Sequence, residues 1–235
     1  MKILIYNEGE HDKHDWMKKV YPAGIHGALK EALESPENNI SIVTLDTINE
    51  GITPEILAKT DVMLWWGHTL HHMVPDAISD MVKEAVQMGM GIIFLHSAHM
   101  SKPFRALLGT SCTLNWRDND RERLWVAAPA HPIAQGLPPY IEIEHEEMYG
   151  EPFDIPTPDD VVFMGWFAGG EVFRSGVTYH RGYGKVFYFQ PGHEEYANYY
   201  NPYIVKILQN AVKWAAPVAR ASVLTCPNPA PAEKQ

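Results

Sequence analysis

The sequence predicts an α/β protein with a doubly wound, mostly parallel sheet and helices packed against it. Two observations support this fold class. Strand-like and helix-like segments alternate from residue 3 to residue 95, which is typical of a parallel sheet with right-handed crossovers. In addition, Ile92–Leu95 is an apolar run without alternation, as expected of a strand that is buried on both faces.

The first half of the chain contains four apolar runs that predict strands, at Ile3–Tyr6, Ile40–Leu45, Asp61–Trp66 and Ile92–Leu95. Two longer segments between them, Pro22–Leu33 and Pro75–Met88, carry apolar residues at helical spacing and predict amphipathic helices. The segment Asp46–Thr60 is interpreted as a loop and a short helix, because Thr53 followed by Pro54 is a favourable helix start.

Glycine-rich turns separate further apolar segments in the second half, which indicates an extra β-rich insertion. The predicted strands are Tyr140–His145, Val161–Trp166, Val172–Tyr179 and Val186–Phe189. A short helix is expected at Phe104–Gly109 and a final amphipathic helix at Tyr203–Trp214, whereas Asn115–Val126 is only recognised as a charged, arginine-rich segment. We expect one domain over residues 1–216 and a disordered tail, rich in Ala and Pro, over residues 217–235.

The composition argues against several classes of protein. With 29 acidic and 19 basic residues the net charge is −10, which is unfavourable for a nucleic-acid surface. The cysteines Cys112 and Cys226 are too few for a disulfide framework, and no apolar run has membrane-spanning length. We therefore expect a cytoplasmic protein that acts on a small molecule, without a nucleic-acid or membrane partner. Its many Trp and Tyr residues are compatible with a homo-oligomer.

The chain has twelve histidines, and several of them follow predicted strands. Histidine serves proton transfer near neutral pH and is the commonest metal ligand. The carboxyl ends of parallel strands share one edge of the sheet, where ligands bind in α/β proteins, so these side chains are expected to meet there. The candidates are Glu8, His11, His68, His71, His72, His96, Ser97, His99, His193, Glu194 and Glu195, with the segment His145–Glu147 closing over them.

Two chemical interpretations fit this set. Converging histidines and carboxylates suit a divalent metal such as Zn²⁺ or Mn²⁺, and they equally suit acid/base catalysis without a metal. The third strand offers both His68 and His71 for one place in the site. Each residue also has a structural interpretation, as a strand cap, a core residue or a solvated side chain, because no spacing here matches a specific metal motif.

The resulting prediction gives each candidate a role. The expected metal ligands are His71, His96 and His193. The expected catalytic residues are His96, Ser97, Glu147, His193 and Glu194. The expected substrate-binding residues are Glu8, Trp66, His68 and Tyr149, of which Trp66 would offer a ring for a sugar to stack on if it is not a core residue.

Several longer runs resemble one known family, the trehalose-utilization (ThuA-like) family. They are WWGH, LHSAHMSK, LLGTSC, RERLWV, HPIAQGL, EEMYGEPFDIP, WFAGGEVFRSG and YFQPGHE, in this order between about Trp65 and Trp214. The resemblance implies a flavodoxin-like fold of the class I glutamine amidotransferase-like superfamily. It also implies a role in the use of trehalose and related disaccharides, beside a dehydrogenase that makes 3-keto sugars.

The chain departs from the amidotransferases at the residue that carries their chemistry. Those enzymes place a cysteine on the sharp turn after the central strand, whereas this chain has His96-Ser97-Ala98 there. Without that nucleophile, hydrolysis of glutamine is not expected. Ser97 could replace the cysteine only with an aligned base and an oxyanion hole, which sequence does not reveal.

Three functions remain as hypotheses from the sequence. The first is an enzyme that acts on a keto-disaccharide or related keto sugar, where a metal or histidine stabilises an enediolate and a glutamate or histidine is the base. The second is a non-catalytic sugar-binding or regulatory protein that has lost amidotransferase chemistry. The third is a serine or metal hydrolase. The reaction type, whether isomerisation, elimination or hydrolysis, stays open.

Overall fold

Nine strands form one sheet in the computed structural model, which describes residues 1–224 and 228–233. Their bounds are β1 Lys2–Asn7, β2 Asn39–Thr44, β3 Val62–Trp66, β4 Gly91–Leu95, β5 Asn115–Val126, β6 Tyr140–Gly150, β7 Asp160–Phe167, β8 Val172–Arg181 and β9 Gly184–Phe189. The order across the sheet is β2-β1-β3-β4-β9-β8-β7-β5-β6.

Half of this sheet is parallel and half is antiparallel. The four pairings from β2 to β9 are parallel, whereas the four from β9 to β6 are antiparallel. The class prediction of a mixed α/β protein is therefore confirmed, but the expectation of a mostly parallel sheet holds only for its first half. The reason is that short turns connect β7, β8 and β9, and such turns can join only antiparallel neighbours.

Helices cover both faces of the parallel half. They are α1 Asp15–Val20, α2 Gly24–Leu33, α3 Ile48–Gly51, α4 Pro54–Lys59, α5 Asp76–Gln87, α6 Lys102–Leu108 and α7 Pro202–Ala215. Short 3₁₀ turns lie at His11–Lys13, Leu45–Thr47, His71–Met73, His96–Met100, Pro132–Ala134 and Asn198–Tyr200. Among the described residues, no helix combines the length and the apolar character that crossing a membrane requires.

The central strands are buried on both faces, which explains their continuous apolar runs. In β4, Ile92 and Phe94 join the core on one side of the sheet, and Ile93 and Leu95 join the core on the other. Because successive side chains of a strand point to opposite faces, the run Ile92–Leu95 fills both cores at once. These two cores hold the strands so that β1, β3, β4 and β9 end at one edge.

The sequence predicted the apolar strands well and the charged one poorly. The predicted strands of the first half agree with β1–β4 to within one residue at each end. By contrast, Asn115–Val126 is a strand of twelve residues, and β6 continues five residues beyond its predicted end at His145. Both segments carry charged residues at exposed positions, so their alternation is not apolar enough to predict a strand.

The first part of the segment predicted as a disordered tail is docked. The Arg220 side chain donates to the carbonyl oxygen of Thr60 and, at 3.1 Å, to Asp61, and the Ala221 N–H donates to Met88 O at 2.9 Å. These contacts correct the prediction for residues near Arg220. Residues 225–227 and 234–235, which belong to the same predicted tail, lie outside the described part of the chain.

We therefore expect two truncations to differ. A chain that ends at residue 223 should keep its melting temperature, because it retains the contacts of Arg220 and Ala221. A chain that ends at residue 216 should melt roughly 2–4 °C lower, the shift that ~1 kcal/mol produces in a domain of this size. Calorimetry of both chains beside the full chain tests this. Equal melting temperatures for all three would show that the docked segment contributes no stability.

Candidate active site and metal centre

The candidate site lies where β1, β3, β4 and β9 end. The loops after β3, β4 and β9 each bring a histidine to this edge, and these are His68, His96 and His193. The second half of β6 crosses beside them, because Gln190 Nε2 donates to Glu147 O at 2.9 Å. This contact places the Glu147 side chain among histidines that lie far away in sequence.

His96 occupies a strained turn at the end of β4. Its φ of 53° lies in the left-handed region, which residues other than glycine seldom adopt. Such strain is tolerated where the surroundings fix the residue, and His96 is fully buried between the strand and the loop after β9. The turn directs the imidazole into the site, as the sharp strand-to-helix turn predicted from the sequence requires.

Hydrogen bonding orients the His96 ring. Its Nδ1 lies 3.0 Å from the carbonyl oxygen of Gln190, which can only accept, so Nδ1 is the donor. In the neutral ring, Nε2 then keeps its lone pair, and it lies 3.0 Å from Glu147 Oε2. A histidine whose Nδ1–H is held by a carbonyl while Nε2 points at other ligands is typical of metal sites.

A buried carboxylate builds the loop that carries His68. Glu8 accepts from Thr69 N at 2.8 Å, from Thr69 Oγ1 at 3.1 Å and from Leu70 N at 3.0 Å. These bonds fix the turn after β3 so that His68 projects between His96 and His193, with ring centroids 5.6 and 5.3 Å away. Glu8 therefore shapes the site through the backbone of this loop.

In His68, as in His96, Nδ1 is the ring nitrogen that donates a hydrogen bond. Its Nδ1 lies 2.9 Å from Glu194 Oε1 and 3.2 Å from His11 Nε2. Because an ionised carboxylate only accepts, Nδ1 donates to Glu194 and Nε2 retains the lone pair. Many metal sites contain a histidine whose one nitrogen binds the metal while the other donates to a carboxylate. The carboxylate fixes the orientation of the ring and raises its basicity.

In His193, by contrast, Nδ1 accepts a hydrogen bond. Its Nδ1 accepts from the Glu195 N–H at 3.2 Å, so in the neutral ring Nε2 carries the proton. Two further contacts hold the loop that carries it, because Trp66 Nε1 donates to Gly192 O at 3.2 Å and Glu146 accepts from the His193 N–H at 3.2 Å. His193 therefore presents an N–H donor toward the site, whereas Nε2 of His68 and of His96 carries a lone pair when each ring is neutral.

Together these residues form a group with the composition and spacing of a metal site. One ligand atom from each of His68, His96, Glu147 and His193 can be chosen so that all four lie within 4.8 Å of one another. Neighbouring ligand atoms of tetrahedral zinc lie roughly 3.3 Å apart, since each is about 2.0–2.1 Å from the metal. A second group, His11, His68 and Glu194, shares His68 and supports it from behind.

One atom of this group lacks a hydrogen bond. Glu147 Oε2 is buried and has no hydrogen-bond partner among the residues that the structure describes, although His96 Nε2 is 3.0 Å away. The two atoms are close enough for an ion pair, and this contact raises the pKa of His96, although its direction departs from that of a hydrogen bond. A buried carboxylate oxygen without a donor is costly, and a cation between Oε2 and Nε2 would satisfy both atoms. The donor set therefore fits a divalent metal.

A family model for trehalose utilisation, ThuA, matches residues 2–215. The chain belongs to the ThuA family. This confirms the resemblance found in the sequence motifs. No curated protein matches the chain closely enough to add to this assignment.

Solved structures share the fold of this ThuA-family chain at low identity. A ThuA-like protein from Parabacteroides merdae has 16% identity and a TM-score of 0.68, over 95% of this chain and 92% of that one. A second ThuA-like protein, from Bacteroides uniformis, has 16% identity and a TM-score of 0.64, over 92% and 91%. A cytoplasmic protein from Salmonella typhimurium has 14% identity and a TM-score of 0.65, over 92% and 100%. Identities this low show the fold alone.

Charges and burial set opposite pKa shifts within the site of this ThuA-family chain. Burial would lower the pKa of His96, but contact with Glu147 and the charges of Glu146 and Glu194 outweigh burial and raise it to about 9. Burial lowers the pKa of His193 to about 4. Burial opposes ionisation of Glu194, yet the hydrogen bond from His68 prevails and lowers its pKa to about 2. At neutral pH His96 is thus an imidazolium and His193 is neutral.

A cavity of about 420 Å³ opens beside this group. Ser97, His99, Glu147 and Tyr149 line its inner wall. Ser97 Oγ is 2.7 Å from the Tyr149 hydroxyl, and this partner is not a base that could activate a serine. His99 Nδ1 donates to Cys112 O at 2.7 Å, and burial lowers the His99 pKa to about 3, so this ring is neutral. The cavity is polar on its inner wall and open to ligand on the other side.

Most of the predicted site residues do lie together. His68, His96, Ser97, Glu147, Tyr149, His193 and Glu194 surround the group or line the cavity beside it. Whether each performs its predicted role remains a prediction. Trp66 is 1% exposed and packs in the core, so its ring cannot meet a substrate. Both carboxylate oxygens of Glu8 already accept hydrogen bonds from the loop after β3.

His71 does not join the group that holds His96 and His193. Because β3 ends at Trp66, the residue two positions later faces the site, and His71 begins the following 3₁₀ turn. The group that could hold a metal contains His68, the alternative from the same strand, instead of the expected His71. His71 Nε2 is buried without a hydrogen-bond partner in the described part of the chain, and burial lowers its pKa to about 4.

Four contributors were not assigned a role from the sequence. Glu146 orders the loop after β9, His11 supports His68, and Trp116 and Asp118 line the cavity. Trp116 and Asp118 lie in the charged segment that was not predicted to be a strand. No periodic pattern in the sequence marks these four residues.

A second buried carboxyl group lies behind the site and provides a test of its electrostatics. Burial, and then the charge of Glu146, raise the pKa of Glu122 to about 8. Ser175 Oγ donates to Glu122 Oε1 at 2.9 Å, while Oε2 has no hydrogen-bond partner within the described residues. A protonated carboxyl is isosteric with an amide, so glutamine fits this position.

We predict that Glu122→Gln changes how stability depends on pH. The folded state retains the Glu122 proton up to about pH 8, whereas an unfolded glutamate releases it near its ordinary pKa of 4.5. Wild-type stability contributed by this group is therefore full below pH 4.5 and is lost as pH rises toward 8. At pH 8 the variant should melt about 2–4 °C or more above wild type, and the gap should shrink at pH 5.

Thermal melts at both pH values check this, with Glu144→Gln on the exposed face of β6 as the matched control. The interpretation is wrong if Glu122→Gln and the control show the same dependence on pH.

Proposed function

We propose that this ThuA-family chain is a metal-dependent enzyme of sugar metabolism that acts on a keto sugar derivative. The observation that carries the proposal is the buried Oε2 of Glu147, which has no hydrogen-bond partner among the described residues and lies in one group with Nε2 of His96 and with His68. The flavodoxin-like interpretation of the fold is supported by the parallel strand order β2-β1-β3-β4-β9, with β5–β8 as the β-rich insertion.

His68, His96 and Glu147 are the residues that would hold Zn²⁺ or Mn²⁺. Three protein ligands leave a position for water or a substrate oxygen, which is typical of catalytic rather than structural zinc. When bound, the metal would supply Lewis acidity to a substrate carbonyl. His193 is assigned a different role, because its Nδ1 accepts from Glu195 and its neutral ring has the proton on Nε2.

The side chains of this site suit proton removal next to a carbonyl. In this proposal Glu194 accepts the proton from the carbon beside the carbonyl, since its Oε2 is buried without a hydrogen-bond partner in the described ranges. Its pKa of about 2 makes this carboxylate a weak base, so the step depends on strong polarisation of the carbonyl. The negative charge that develops on the carbonyl oxygen would accept a hydrogen bond from Nε2–H of His193. His99 and Tyr149, which line the cavity, would bind substrate hydroxyls. Isomerisation and elimination both begin with this proton transfer.

A serine hydrolase is less well supported by the same geometry. Ser97 Oγ contacts the Tyr149 hydroxyl, and burial raises the pKa of that tyrosine well above its usual range, so it stays protonated. Nucleophilic serine requires a base as its hydrogen-bond partner. A non-catalytic sugar-binding protein would bind the same ligands without turnover.

We predict that the purified protein binds about one equivalent of Zn²⁺ or Mn²⁺. Glu147→Gln should weaken metal binding about 10-fold or more, because it removes the charge and one ligand oxygen. Glu144→Gln, on the exposed face of the same strand, should bind metal like wild type. His193→Ala should also retain the metal, in contrast to His96→Ala.

Elemental analysis and metal titration of the four variants check this set. Wild-type protein that binds neither metal would contradict the metal centre. Loss of metal in His193→Ala would assign His193 as a fourth ligand and contradict its role as a donor.

We also predict turnover of 3-keto-trehalose, followed by product analysis with mass spectrometry and NMR. At saturating metal, Glu194→Gln should lower kcat by about 10²–10⁴, the contribution typical of a general base; it should also weaken metal binding about 10- to 100-fold, because it replaces the carboxylate that orients His68. Binding of the keto sugar with no product from wild type would favour the non-catalytic alternative. Solvent deuterium incorporated beside the carbonyl would identify proton removal, and its absence would contradict this chemistry.

A further inference from the structure

One face of the antiparallel half of the sheet carries large apolar side chains that are exposed to solvent. Trp125 is 40% exposed and Tyr140 is 41% exposed. Trp166 is 37% exposed and Val172 is 49% exposed. On the opposite face of the same strands, Leu124 is buried in the core. We call the exposed side, defined by Trp125, Tyr140, Trp166 and Val172, the aromatic face.

Strand pairing places these side chains in two adjacent rows. The first row crosses β6, β5, β7 and β8 as Glu142, Arg123, Trp166 and Val172, and the second crosses β6, β5 and β7 as Tyr140, Trp125 and Met164. Directly opposed residues of antiparallel strands point to the same face. The register shifts between β5 and β6 lie before Glu122, and those between β7 and β8 lie before Gly165, so both rows use regular pairings.

Arg123 connects the rings of the aromatic face. Its guanidinium carbon lies 4.9 Å from the centroid of Tyr140 and 5.5 Å from that of Trp166. The centroid of Trp125 is 5.8 Å away. All three distances fall within the range of a cation–π contact. The Arg123 Nε also donates to Glu142 at 2.6 Å, so these side chains are ordered before any partner binds and lose less conformational entropy on binding.

The charge of the aromatic face suits a second copy of this chain. Arg121 and Arg123 are matched there by Glu142 and Glu144, so the face is neutral in a chain of net charge −10. Two copies of so acidic a chain repel each other, and a neutral face is where this repulsion is smallest. A face that offers guanidiniums, carboxylates and aromatic rings together can be complementary to its own two-fold copy.

The size of the aromatic face sets the strength expected of such a contact. The exposed positions of β5 extend from Arg121 to Ala127, and seven residues at roughly 3.3 Å each give about 23 Å. The strands β6, β5, β7 and the start of β8 span roughly 19 Å, so the face covers up to about 440 Å². Two such faces come near the roughly 1,000 Å² of the smallest specific interfaces, for which we expect a Kd of about 1–100 μM.

We propose that the aromatic face binds the aromatic face of a second copy, so that the protein forms a two-fold symmetric dimer. Flat sheet faces pack on each other about 10 Å apart, and Trp, Tyr and Arg are the residues that contribute most to binding at protein interfaces. In a two-fold contact each residue pair occurs twice, so a single substitution removes two contacts. This dimer does not depend on the metal or the substrate proposed above.

The test is sedimentation velocity of the full-length protein over a range of concentrations that spans ~10 μM. Wild type should shift from monomer to dimer as the concentration rises. Trp125→Ala and Val172→Asp should each raise the dimer Kd about 10-fold or more, because one removes an aromatic anchor and the other places a charge in the contact. Both side chains are exposed in the monomer, so the variants should keep the wild-type melting temperature.

Trp16→Ala is the matched control, since Trp16 is 38% exposed and lies on α1, in the parallel half of the molecule. This variant should dimerise like wild type. Wild type that stays monomeric throughout would overturn the proposal and leave the aromatic face to a different protein. Dimerisation of both aromatic-face variants at the wild-type Kd would place the dimer contact elsewhere, and assemblies that grow beyond the dimer would contradict a closed two-fold contact.

Discussion

The carboxylate of Glu146 joins the two parts of the molecule that make the site. It accepts from Glu147 N at 2.9 Å, Gly192 N at 2.7 Å, His193 N at 3.2 Å and Asn198 Nδ2 at 2.9 Å. A buried carboxylate is costly unless donors surround it, and here four donors do so. Because these donors come from β6 and from the loop after β9, one buried charge fixes Glu147 and His193 relative to each other.

That arrangement leaves a surplus of negative charge in a buried place. Three carboxylates, Glu146, Glu147 and Glu194, approach His96 closely enough to raise its pKa to about 9, although burial acts against its protonation. In the absence of a metal, the proton on His96 is thus the cation that balances the site. A divalent cation would have to displace this proton, so metal binding and proton release are coupled. The protonated carboxyl group of Glu122, behind the site, keeps the surplus from growing.

The sequence was informative where burial dictates residue type. Apolar runs located β1, β3 and β4, and the polar residues after them were correctly expected at one edge, because parallel strands end together. It could not choose between His68 and His71, since the choice depends on the turn that Glu8 imposes on Thr69 and Leu70. Those hydrogen bonds join residues roughly sixty positions apart and leave no local pattern.

The charged strand β5 was missed for a related reason. Its exposed residues include Trp116 and Asp118, and irregular pairing between Arg117 and Asp120 interrupts its register with β6. A strand at the open side of a cavity has no core to select apolar residues, so its pattern reflects ligand contact or solvent instead. Residues that line an open cavity are therefore the ones that periodicity is least able to predict.

The strained turn at His96 determines which side chain reaches the site. A φ of 53° in a residue other than glycine costs free energy, and it persists because the buried ring is held by Gln190 O on one side and faces Glu147 on the other. Hydrolysis of glutamine by an amidotransferase mechanism would require a cysteine at this turn. Here it presents Nε2 of the His96 imidazole to the Glu147 carboxylate instead. The strained geometry therefore delivers a side chain to the sheet edge whatever that side chain is, and the chemistry follows from the residue delivered.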